Sequence, residues 1–72
     1  MEILEKEWQD AIDAYQQAWS IDPEPVLQFN IALAYEAKGD LEEAYARYQK
    51  YLELDPNGSE AATAKELLPL VK

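Results

Sequence analysis

Four stretches of the chain place their apolar residues at helical spacing, and short breaks separate them. Asp22-Pro23-Glu24-Pro25 and Asp55-Pro56-Asn57-Gly58 interrupt the pattern. Proline cannot continue a helix interior, and the residue before it avoids helical geometry. Lys38-Gly39-Asp40 is a third break, where glycine can take the left-handed conformation that caps a helix. The predicted helices are 2–20, 25–38, 40–54 and 59–68, with Pro69 expected to end or kink the last. In the first, Leu4, Trp8, Ala11, Ile12, Tyr15, Ala18 and Trp19 fall within roughly 120° at about 100° per residue. The charged and amide residues of that stretch, Glu2, Glu5 and Asp13 among them, lie outside the arc and form a wet face. Leu41, Ala44, Tyr45, Tyr48, Tyr51 and Leu52 make one face of the third helix, and Ala61, Ala64, Leu67 and Leu68 one face of the fourth. Val71 joins that last face only if the helix survives Pro69. The second helix is apolar all round, from Val26 to Ala37. Such a helix is normally surrounded by others, so it is expected at the centre of the fold.

The composition narrows the function. With 72 residues there is room for one small domain. The balance of 15 acidic against 6 basic residues gives a net charge of −9, which repels phosphate backbones and anionic membranes. No nucleic-acid or membrane partner is expected. The chain has no Cys and no His, so thiolate chemistry is excluded and the commonest general base and metal ligand are missing. No cofactor or metal is expected, and the chain does not read as an enzyme. Ser20, Ser59 and Thr63 have no His to activate them. The acidic pairs Asp10/Asp13, Glu42/Glu43 and Glu2/Glu5 read as solvated helix faces. Ser59 suits the N-cap of the fourth helix and Asp40 that of the third, with Glu43 completing a box-like pair. The longest uncharged run, Pro25 to Tyr35, has eleven residues, well short of the roughly 20 that span a bilayer. Met1-Glu2-Ile3-Leu4-Glu5 lacks the basic start of a signal peptide. The expected compartment is therefore the cytoplasm.

The chain also matches itself at a shift of 33 residues: Trp8 through Pro23 lies over Leu41 through Pro56, with Ala, Tyr, Gln, Asp and Pro recurring in register. A period near 33 with helix–turn–helix units signals a helical solenoid. Gln28, Ile31, Ala32 and Tyr35, followed by Ala44, Tyr48 and Pro56, fall at the spacing W-x2-L-G-x2-Y, A-x3-F, P. On these residues the chain resembles the tetratricopeptide repeat family, with Gln28 in the tryptophan place. Ala11, Tyr15 and Pro23 repeat the second half of the unit. The resemblance implies an all-α fold: an antiparallel helix–turn–helix solenoid fragment of four helices, one domain over 1–72. Within it, 2–20 would be the second helix of a partial repeat, 25–54 one full repeat, and 59–68 a capping helix of the kind that solenoid ends require. Tyr51 stands where the family usually has a small residue.

The resemblance further implies a non-catalytic protein-interaction module, since the first helix of each unit lines a concave groove in this family. Val26, Phe29, Leu33 and Glu36 would line it here. Helical spacing independently puts Val26, Phe29, Leu33 and Ala37 on one stripe. Some family members clamp a peptide carboxylate with Lys and Asn; only Asn30 fits that set, so no such clamp is expected. An apolar groove with an acidic rim suits an apolar or basic helix or peptide. The alternative is a structural, self-assembling unit in which the same stripe meets its own copy in a homodimer.

Overall fold

A computed structural model describes residues 5–71, and these form four helices in sequence. They are α1 (Glu5–Ile21), α2 (Pro25–Lys38), α3 (Leu41–Leu54) and α4 (Ala61–Val71). The predicted start of the first helix, with Glu2 and Leu4, lies outside the described residues. Each helix packs chiefly against its neighbour in the chain, α1 on α2, α2 on α3 and α3 on α4. α2 therefore lies between α1 and α3, as its all-round apolar pattern predicts.

The junctions follow local chemistry. Pro25 opens α2, where its missing N–H costs nothing. Gly39 closes α2 at φ 97°, in the left-handed region. There its N–H donates to the Glu36 carbonyl at 3.0 Å and the Asp40 N–H to the Tyr35 carbonyl at 2.9 Å, the paired bonds of a Schellman cap. Asp40 then starts α3, its Oδ1 accepting from the Glu43 N–H at 3.4 Å. The box is one-sided, because the Asp40 N–H is already used by Tyr35 and the Glu43 carboxylate lies 3.8 Å from Arg47.

The start of α4 differs from the sequence expectation. The helix begins at Ala61 rather than residue 59, and Ser59 is exposed with no cap bond among the described residues. The Tyr51 hydroxyl accepts from the Glu60 N–H instead, at 3.0 Å. The preceding turn, closed by the Gly58 N–H on the Asp55 carbonyl at 3.1 Å, holds residue 58 against α3. A Cβ there would overlap the Asp55 carboxylate and lie 2.5 Å from the Tyr51 hydroxyl. Nor does Pro69 end the helix, which continues to Val71. Pro69 has no N–H to give the Lys65 carbonyl four residues back, and Val71 beyond it is buried in return.

Two apolar clusters hold the chain together. The larger joins Phe29 and Ala32 of α2 to Ala44, Tyr48 and Tyr51 of α3 and to Ala61, Ala64 and Val71 of α4. The smaller joins Ile12 of α1 to Ile31 and Ala34 of α2, with Trp8, Tyr15 and Tyr35 packed around them. Gln28, in the tryptophan place, is buried, and its Oε1 accepts from Arg47 at 3.2 Å. A buried amide with its hydrogen bond made is tolerated where a bare one would not be.

Candidate functional site

A cleft of about 510 Å³ lies between α1 and α2. α1 supplies Trp8, Ala11 and Tyr15, and α2 supplies Asn30, Leu33, Ala34, Glu36 and Ala37. The walls exist because each helix turns only part of its apolar surface to the other. Ile12 and Ile31 are fully buried between them, whereas Trp8, Ala11 and Tyr15 are only half-buried. Leu33 is 40% exposed, which is unusual for leucine on the central helix of a bundle.

Polar groups fix the geometry around this cleft. Lys38 at the end of α2 donates to Gln9 Oε1 of α1 at 2.6 Å, and its Nζ lies 5.8 Å from the Tyr35 ring. Arg47 approaches the same ring at 6.0 Å, near the limit of cation–π attraction. Glu36 lines the cleft but is tied inward, its Oε1 accepting from the Tyr48 hydroxyl at 2.7 Å. Burial first, and then the hydrogen bond and charge of Glu36, push the Tyr48 phenol well above the ordinary tyrosine range.

The five residues expected on one binding stripe separate into three groups. Leu33, Glu36 and Ala37 line the cleft. Val26 is 37% exposed and is not part of it. Phe29 is 5% exposed, its ring centroid 5.7 Å from that of Tyr48 and 5.6 Å from that of Tyr51. Phe29 is thus core and not a groove residue, because Tyr51 fills a place that a small residue would leave open. The other wall is only partly legible in the sequence: Ala11 and Tyr15 read as a buried face of α1, and no helix among the described residues covers them fully. The repeat pattern carried the signal, since Ala11 and Tyr15 recur as Ala44 and Tyr48, and the latter pair needs α2 to cover it.

A family model, Tetratricopeptide repeat, matches residues 2–68. The chain belongs to the tetratricopeptide repeat family. The four helices and the register of Ala32, Tyr35, Ala44, Tyr48 and Pro56 are those of a tetratricopeptide helical repeat. No curated protein and no solved structure matches the chain. Tetratricopeptide repeats in general are non-catalytic modules that mediate protein–protein interaction. No helix among the described residues is long and apolar enough to cross a membrane.

Proposed function

We propose that this tetratricopeptide chain is a protein-interaction module whose binding surface is the cleft between α1 and α2. The supporting observation is the cleft itself: apolar walls of Trp8, Ala11, Tyr15 and Leu33 left open beside a closed core. In this reading α1 is the second helix of a partial repeat, α2 and α3 form one full repeat, and α4 caps the array. The outer face of α4 carries exposed Ala62, Lys65 and Glu66 and so suits a solvent-facing end. The partner is a protein or peptide rather than a nucleic acid or membrane surface, because the chain carries −9. Titration of an isotope-labelled chain with a basic amphipathic helical peptide tests the reading. The expected result is saturable shifts at Trp8, Ala11, Leu33 and Ala37; shifts confined to other faces count against it.

A second reading is self-association of the same face as a two-fold dimer. The exposed Val26 and Leu33 on α2 favour it, and the charge opposes it. Sedimentation of the chain at high concentration decides: a monomer leaves the cleft free for another protein.

A further inference from the structure

We infer that the α1–α2 cleft seats one α-helix from a partner protein, held on α1 as α2 is held on α3. The inference rests on the interaction reading above and names the occupant. α1 and α3 carry corresponding residues at one 33-residue shift: Ala11 over Ala44, Tyr15 over Tyr48 and Pro23 over Pro56. In α3 this face is closed. Ala44 and Tyr48 are 0% exposed, packed in one cluster with Phe29 and Ala32 of α2. The Phe29 ring lies against Tyr48, and the Tyr48 hydroxyl donates to Glu36.

In α1 the same face is open. Ala11 and Tyr15 are half-buried and line the cleft, and among the described residues the Tyr15 hydroxyl has no hydrogen-bond partner. α2 follows α1 as α4 follows α3. Among the described residues, no helix stands to α1 as α2 stands to α3. The other wall, Asn30, Leu33 and Ala37 of α2, completes a seat with two helical sides.

The repeated face specifies what fits. An aromatic residue would cover the Tyr15 ring as Phe29 covers that of Tyr48. A small residue three positions on, the counterpart of Ala32, would let the helix approach Ala11. A carboxylate or amide four positions further, the counterpart of Glu36, would accept from the Tyr15 hydroxyl. Charge selects a helix of this kind over a second copy of the whole chain. α2 itself carries one Glu and one Lys and adds no net charge, whereas a second copy brings a further −9 against the exposed Glu7 and Asp10 of α1.

The test uses the full chain and a synthetic peptide of residues 25–39, cross-linked on the face away from Phe29 and Ala32. The cross-link is needed because a free helix of that length is marginal in water. Amide shifts are followed on the labelled chain. One-to-one saturation is expected, with the largest shifts at Ala11, Tyr15, Leu33 and Ala37. Affinity is expected to fall at least about ten-fold when the peptide carries Ala32→Arg. The same fall is expected when the chain carries Ala11→Arg or, should that variant not fold, Leu33→Glu. Binding that survives both chain variants means the peptide displaces α2 from α3 and overturns the inference, as does no binding up to roughly 1 mM. A basic amphipathic helix without the pattern separates the two claims. If it fills the cleft and the 25–39 peptide does not, the interaction reading stands and the α2-like occupant falls. If neither binds, both fall.

Discussion

α1 and α3 share an alanine and a tyrosine in register and bury them to different extents. Each places alanine and, four residues later, tyrosine on one face, Ala11/Tyr15 and Ala44/Tyr48. The second pair is sealed between α2 and α4, and the first lines an open cleft. The residues do not decide this difference; the neighbours do. A solenoid motif describes a surface that wants a helix, and stability in such arrays is a sum of each repeat and its contacts with the next. The covered copy therefore works as core, and the uncovered copy lines an open cleft.

The sharpest way to break this contrast is to truncate both tyrosines. Tyr48→Ala should cost about 3–5 kcal/mol, as for large buried aromatics. Tyr15→Ala should cost about 1 kcal/mol, typical of a partly exposed site. Urea midpoints that fall equally in the two variants would show that the copies are equally buried. A smaller effect belongs to alkaline pH. Because the folded state holds the Tyr48 proton more tightly, the unfolded chain ionises first above about pH 10, so stability should fall as pH rises beyond that point. Tyr48→Phe should reduce the fall; a thermal midpoint with the same alkaline slope in both proteins would contradict the burial of the Tyr48 hydroxyl against Glu36. Smaller again, Asp40→Ala removes the cap that starts the covered helix and should cost about 1 kcal/mol, read from the thermal midpoint. Its equivalent in α1 is Glu7, and comparing the two changes shows how far local capping differs between the copies. Last, added salt should raise stability by a few tenths of a kcal/mol by screening the net negative charge. A drop in the denaturant midpoint with salt would mean that the Glu43–Arg47 pair and similar contacts outweigh the repulsion.

The helices were legible in the sequence because their boundaries are set within a few residues. Pro25, Gly39 and Asp40 each act on backbone geometry beside them, and the structure places them as those effects require. The central position of α2 was legible too, since an all-round apolar helix needs neighbours on more than one side. What the sequence concealed came from long-range contact. Phe29 shares a stripe with Leu33 by helical spacing, but Tyr51 and Tyr48 take it into the core. Ser59 has the chemistry of a cap and loses the role to a hydroxyl from another helix. Pro69 looks like a stop, yet the burial of Val71 rewards continuation. Of the eight residues that line the cleft, three, Leu33, Glu36 and Ala37, belong to the stripe expected from sequence. The wall supplied by α1 is harder to read, because an apolar face reads as buried until its partner is sought and not found.

The hydrogen bond from the Glu60 N–H to the Tyr51 hydroxyl carries a consequence for the order of assembly. The amide at the threshold of α4 is satisfied by a side chain of α3, so it gains protection from exchange with solvent only after Tyr51 is seated. Growth of the array should therefore run from α3 outward into α4, and local opening should run the other way. Glu60 then becomes a sentinel: its deuterium uptake rate reports the release of the C-terminal helix while the α2–α3 pair is still intact.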